Sequence, residues 1–289
     1  MTEYGFAMRK AARSGLFAVA NLLHSAPEVR GRNRLFTIAL RQAQRLGPPV
    51  VVEIDGYSLQ LDLRDGVCRG IWAERAFPQG RALKELVRSG DVVIDVGANI
   101  GYMSLIAARE AGPTGRVVAI EPARRAFSLL AENARRNFPE HITPVRAACD
   151  EADGSVTMFV SEYSEEYNSL RRESVLGRVH EEVVPARSLD SLSRELGIQP
   201  DVVKIDVEGA EWPVLKGLLR DGAPGPRTLL VEAFEGNSRA FGYRPSAMCA
   251  WLRERGYRLS LSRETERFEY SDERVDGPLL HDVLATRSP

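Results

Sequence analysis

The chain has 289 residues, 44% of them hydrophobic and 27% charged, with a net charge of −1. The length is enough for one large α/β domain plus an extension, the composition is that of a soluble globular enzyme, and the net charge carries no nucleic-acid footprint. No apolar run is long enough to span a bilayer, and Cys68, Cys149 and Cys249 stand far apart with no C-x-x-C pair, which argues for reduced thiols in a cytoplasm and against a structural zinc.

In chain order, residues 1–48 read as two helices separated at Pro27, one apolar face carrying Leu16, Ala20 and Leu23 and the other Leu35, Ile38, Ala39 and Leu46. This extension holds eight Lys/Arg against two Glu, so the remainder of the chain is acidic. A basic helical pair suits a solvated packing helix, and also peripheral contact with an acidic partner or a membrane surface. Leu16–Leu23 faintly resembles a signal peptide, but Asn21 interrupts it and no cleavage signal follows. Gly47-Pro48-Pro49 closes the extension.

Residues 49–289 are expected to form the second domain, with a hairpin and a helix in 49–90 and the catalytic core in 91–289. Asp55-Gly56 between two β-rich runs predicts a tight hairpin, and a helix is expected over Gln79–Arg88. From residue 91, strands near 91–96, 117–120, 142–147, 202–206, 228–232, 257–261 and 279–285 alternate with helical stretches at 102–111, 124–137, 213–219 and 245–255. Such alternation predicts a mostly parallel, doubly wound sheet with its ligands beyond the carboxyl ends of the strands. Residues 150–200 break the rhythm. Val156–Val160 reads as an added strand and Ser161–Glu182 as a polar loop suited to covering a substrate.

The chemistry concentrates at strand ends. Ile94-Asp95-Val96-Gly97-Ala98-Asn99-Ile100-Gly101-Tyr102 is an apolar strand entering a glycine turn and a helix. The glycines are spaced differently from the dinucleotide fingerprint, whose third glycine would fall on Tyr102. Asp95 suits a ligand with an ammonium group and would repel a pyrophosphate. Glu121, before Pro122, ends the second strand, where a carboxylate can accept from both ribose hydroxyls or merely favour a helix start. Cys149-Asp150 follows the third strand, within reach of an adenine edge or as a turn acid. Lys204-Ile205-Asp206-Val207-Glu208-Gly209-Ala210-Glu211 places acids at and beyond a fourth strand end, with Glu211 also fitted to cap the following helix.

These segments resemble the FkbM-type methyltransferases. The resemblance rests on Ile94–Tyr102, Ile120-Glu121-Pro122 and Lys204–Glu211, with echoes at Asp153-Gly154-Ser155, Asn168-Ser169-Leu170 and Ser188-Leu189-Asp190, and it covers about residues 68–286. It implies the Rossmann-like class I methyltransferase fold: a seven-stranded, mostly parallel sheet with its last strand antiparallel. It further implies S-adenosylmethionine as cofactor and O-methylation of a small-molecule hydroxyl, commonly on sugars or polyketide-type natural products. The cofactor set on this reading is Asp95, Gly97, Ala98, Asn99, Gly101, Tyr102, Glu121, Pro122, Cys149, Asp150 and Asp206. One departure is Glu232-Ala233-Phe234, where the family often has Glu-x-His.

An alcohol acceptor needs a base, and a carboxylate serves if burial or a like charge raises its pKa. Asp206 is the first candidate for base or orienter, followed by Glu208 and Glu232. Tyr163, Tyr167, Asn168, Ser169 and His180 are candidates for the acceptor pocket, His180 also as a base. Asp150, Asp206 and Glu232 are hard oxygen ligands of the kind magnesium takes, but their spacing demands no metal and none is assigned. The alternatives are a nicotinamide-dependent oxidoreductase on a related fold and a non-catalytic interaction protein. A homo-oligomer is compatible with the sequence.

Overall fold

The computed structural model describes residues 3–25, 31–45, 47, 49–74, 80–161, 168–172, 175, 178–220, 225–263, 266–279 and 281–287. The chain divides into two compact units, Met1–Phe77 and Pro78–Pro289.

The first unit contains helices α1 (Glu3–Ser25) and α2 (Arg32–Arg45), strands β1 (Val50–Ile54) and β2 (Tyr57–Leu61), and helix α3 (Gly66–Glu74). The hairpin turn is Asp55-Gly56, both with positive φ (52° and 76°), as a two-residue turn between twisted strands requires. Asp65 caps α3 by accepting from the Cys68 N–H at 3.2 Å. Trp72 of α3 lies 6.1 Å from the Phe17 ring and 6.3 Å from the Phe36 ring, and Gln44 Oε1 accepts from Leu63 N at 3.3 Å. The hairpin therefore belongs to the helical unit. The expected boundary at residues 48/49 is replaced by one at 77/78, because α3 and the hairpin complete the core that α1 and α2 alone would leave open.

The second unit begins with α4 (Gly80–Leu86), β3 (Val92–Val96), α5 (Tyr102–Ala111), β4 (Arg116–Ile120), α6 (Arg124–Asn137), β5 (Ile142–Val145), β6 (Ala148–Cys149), β7 (Gly154–Ser161) and β8 (Val179–Arg187). It continues with α7 (Leu189–Leu196), β9 (Val202–Ile205), α8 (Glu211–Leu218), β10 (Thr228–Ala233), α9 (Glu235–Ser238), a 3-10 turn at Arg239–Phe241, α10 (Pro245–Glu254), β11 (Arg258–Arg263), β12 (Glu266–Glu269), α11 (Asp272–Val275) and β13 (His281–Thr286). The main sheet runs β12-β11-β13-β10-β9-β3-β4-β5. From β10 to β5 every pairing is parallel, whereas the last strand, β13, is antiparallel to both neighbours. The edge strand β12 is an eighth strand beyond the seven expected, formed as a hairpin with β11.

The central strands are largely apolar because both faces are covered, as in parallel sheets generally, with Asp95, Lys204 and Glu232 as charged interruptions. Ile94, Val96, Ile120, Val203, Ile205, Leu229 and Val231 form the middle of the core. Beyond β5 the chain leaves this sheet, and β6 pairs with β8, which pairs in turn with β7. Residues 179–182, expected in a loop, are the start of β8. Among the described residues no helix is long and apolar enough to cross a membrane, and the three cysteines are buried and free.

Candidate active site

Register fixes where the functional side chains meet. Val96 is level with Ile120 and Ile205, and Ile205 with Val231. Glu121, Gly97, Asp206 and Glu232 therefore follow one another in a line across the carboxyl ends of β4, β3, β9 and β10. Glu232 is in turn paired with Asp282 on β13.

The turn after β3 is held open by backbone geometry. Gly97, Asn99 and Gly101 have φ of 73°, 50° and 87°. A Cβ on Gly97 would stand 1.8 Å from the carbonyl oxygen of Asp206, so only glycine lets the two strand ends approach this closely. Gly97 N and Ala98 N both donate to Ile120 O at 3.0 Å. Glu121 closes the turn: its carboxylate accepts from Asn99 N at 2.9 Å and from Ala123 N at 2.8 Å. Each oxygen keeps a lone pair for a ligand hydroxyl. Burial pushes the Glu121 carboxyl up to about 7, against those two backbone hydrogen bonds and the charge of Lys204. The side-chain oxygen of Asn99 is buried with no hydrogen-bond partner among the described residues.

Asp95 has a different place from the one its sequence position suggests. It is fully enclosed, level with Lys204 on β9, and 3.2 Å from the lysine Nζ; Ser104 Oγ donates to its other oxygen at 2.6 Å. Lys204 balances its charge within the protein, while Oδ1 has no hydrogen-bond partner among the described residues. Lys204 also donates to Gly97 O at 2.9 Å and lies 3.5 Å from Asp206. Burial works against its charge, but Asp95 and then Asp206 outweigh burial and raise its pKa. Sequence reasoning quoted Lys204 without giving it a role. A lysine inside the apolar run Val202–Ile205 was the available signal, since lysine is rarely buried unless paired.

Beyond Lys204 the acids accumulate. Asp206, Glu208 and Glu232 each bring a carboxylate oxygen to within 4.8 Å of the other two. Glu232 is raised well above the ordinary carboxyl value, by burial first and then by Asp206 and Glu208. Asp282, which the sequence did not single out, is pushed up to about 7 by burial and by the charge of Asp206, with Lys204 opposing. The loop carrying these groups is strained. Glu208 has φ 56° and Gly209 φ 106°, and a Cβ on Gly209 would meet Asn237 O at 2.7 Å. Glu211 holds the loop in that shape: buried, it accepts from Val207 N at 3.1 Å and from Gly209 N at 3.0 Å, with the Tyr243 hydroxyl 3.0 Å from its other oxygen. Asn237 Nδ2 donates to Glu208 at 2.7 Å and aims it.

The remaining candidates divide. Ser169 is buried, pairs with Phe159, and its Oγ donates to Glu208 O at 3.4 Å, which ties its segment to the acidic loop. Asn168 accepts from Ser161 N. Tyr163 and Tyr167 lie outside the described residues. His180 is exposed on β8; His141 and the buried His281 contact the carbonyls of Gly115 and Leu279. Gly101 and Tyr102 are buried, and Pro122 is half-buried. Cys149 is enclosed, its thiol pKa raised by burial, and Asp150 N donates to Arg187 O. Asp150 is absent from the converging carboxylates, and Glu208 stands in the third position instead.

Residues 95–259 match the sequence profile described as the Methyltransferase FkbM domain. The chain is 30% identical over 175 residues to the hexuronic acid methyltransferase AglP of Haloferax volcanii, covering 59% of this chain and 68% of that protein. It is 28% identical over 206 residues to the methyltransferase sdnD of Sordaria araneosa, covering 61% and 76% respectively. Among solved structures, a precorrin-6y C5,15-methyltransferase from Geobacter metallireducens superposes with a TM-score of 0.44 at 14% identity, over 73% of this chain and 87% of that one.

Proposed function

Because this chain belongs to the FkbM methyltransferase family, we propose that its S-adenosylmethionine-dependent reaction is O-methylation of a sugar or polyketide-type small molecule. Family membership removes the nicotinamide alternative. The observation that carries the reading is the convergence of Asp206, Glu208 and Glu232 beside the glycine turn.

The residues present fit the cofactor. The acid row outnumbers its one lysine, so a cationic donor supplies the missing counter-charge. The free lone pairs of Glu121 and the unpartnered Asn99 oxygen beside it suit a ribose diol. When bound, the cofactor supplies a methyl group already activated on a sulfonium. The protein must align the acceptor oxygen with that methyl, exclude water and take away a proton.

Asp206, half-exposed, and Glu208, aimed by Asn237, orient the acceptor by accepting hydrogen bonds from hydroxyls flanking the reacting one, whose own single proton faces Glu232. Glu232 receives the proton as the oxygen–carbon bond forms, its raised pKa matching it to an alcohol better than an ordinary carboxylate. Ser169 and its neighbours face the acceptor. The name of the Haloferax relative supports a sugar acid within the proposed class.

The test is methyl transfer from labelled S-adenosylmethionine to a panel of hexuronic acids, neutral sugars and polyketide alcohols, with the product's methyl position read by NMR. An oxygen-linked methyl, lost in Asp206→Asn and Glu232→Gln, is expected. Methyl on nitrogen or carbon, or full turnover in both variants, would refute the assignment.

A further inference from the structure

We propose that the α1–α2 pair docks this protein on an anionic lipid surface, inserting Val19, Leu22, Leu35 and Ile38 at the headgroup boundary with Arg34 and Arg45 beside the lipid phosphates. This goes beyond the methyl-transfer reading and is independent of it.

The two helices pack antiparallel, with Arg13 against Gly47 at one end and Phe17 and Phe36 sharing Trp72 further along. Ala20, Ala39, Leu40 and Ala43 are buried on the inner side. Val19 follows Phe17 by two residues and Ile38 follows Phe36 by two, about 200° around each helix, so both point away from that core. Val19 and Ile38 are equally far from the connection between the helices, as are Leu22 and Leu35, which gathers the four at one end of the pair. They are 48%, 46%, 71% and 56% exposed, and among the described residues they make up most of the large apolar side chains open to solvent.

Among the described residues, the outer face of α1 over 11–22 is unusual in what it lacks. Ala11, Ala12, Ser14, Gly15, Ala18, Val19 and Leu22 are all exposed and none is charged. A helix whose outer face meets only water normally carries charge there. On α2 the exposed aliphatics are bracketed by exposed Arg34 and Arg45. Eight basic against two acidic residues in 1–48 give this extension a strong positive excess while the rest of the chain is acidic. An apolar strip combined with a cationic excess is the two-part requirement for stable peripheral binding to anionic lipid. Charge complementarity selects this occupant over a symmetric dimer through the same face, in which each extension would bring the same positive excess to the contact. With no membrane-crossing helix among the described residues, the contact lies on the bilayer surface.

The experiment is co-sedimentation of the full chain with phosphatidylcholine vesicles, with and without roughly 30 mol% phosphatidylglycerol. Binding is expected only to the anionic vesicles and is weakened by high salt. Leu22→Ser/Ile38→Ser and, separately, Arg34→Glu/Arg45→Glu each reduce partitioning by about tenfold or more. Val183→Ser, at an exposed valine on β8, leaves it unchanged. All variants keep the parent's far-ultraviolet circular dichroism and monomeric sedimentation without vesicles, which checks folding of the helical unit. The proposal is overturned by absence of binding to anionic vesicles, or by binding indifferent to both double substitutions. It is equally overturned if ultracentrifugation shows a dimer that Leu22→Ser/Ile38→Ser dissociates while vesicles are ignored.

Discussion

Glu232 and Asp282 face each other directly across the β10–β13 pairing, two carboxylates in a position where neighbouring strands ordinarily place complementary groups. Burial raises both, and the charge of Asp206 raises both further. Below about pH 4 the Asp282 carboxyl is protonated whether the chain is folded or not. From there to about 7 the folded chain keeps the proton and the unfolded chain releases it, so stability falls as pH rises across that interval. Asp282→Asn is therefore expected to raise the Tm at about pH 8 and to give no gain at about pH 4. Thermal scans at the two pH values check this, and equal gains at both would contradict it.

Turnover has a related dependence. With Glu232 raised well above the ordinary carboxyl value, its basic form grows as the solution becomes alkaline. Initial rates are expected to climb with pH through neutrality, and Glu232→Gln should lose about 100-fold or more in kcat and flatten the profile. A pH–rate series under saturating cofactor decides it.

Lys204→Met leaves Asp95 enclosed without its cation. Breaking a buried pair from one side costs about 3–5 kcal/mol. A corresponding drop should appear in urea unfolding, with Lys204→Met/Asp95→Leu recovering part of it. Failure of the second change to restore any stability would count against the pairing.

Glu121→Ala should weaken S-adenosylmethionine binding about 10- to 100-fold, the value of one or two charge-assisted hydrogen bonds. Calorimetric titration measures it, and an unchanged Kd would remove Glu121 from the cofactor site.

Gly209→Ala places a methyl against the Asn237 carbonyl on a backbone where φ is 106°. The loop must shift, so kcat is expected to fall by about tenfold or more while cofactor affinity changes little. Parallel rate and binding assays separate the two effects.

Much of this architecture could be read beforehand where local and tertiary preferences agree. The apolar runs of β3, β4, β9 and β10, the Asp55-Gly56 turn and the acids at residues 121, 206, 208 and 232 all stood at places their spacing suggested. What escaped depended on partners remote in sequence. Helix α3 contains two glycines and forms by burying Cys68, Ile71 and Trp72, contacts that no local window contains. Strand β8 begins with polar residues and takes its register from β7. Asp95 and Lys204 lie 109 positions apart and meet only because β9 inserts beside β3. The role of Glu211 was visible as a capping option, whereas its grip on two backbone groups of the preceding loop was not.

The contact between Gly97 and the Asp206 carbonyl has an evolutionary corollary. The segment proposed to grip the donor and the segment proposed to receive the acceptor meet through main chain at this point, so no side chain at the contact itself can be exchanged to alter it. Diversification toward new acceptors is then channelled away from this seam and into elements that approach it from outside, such as the stretch around Ser169.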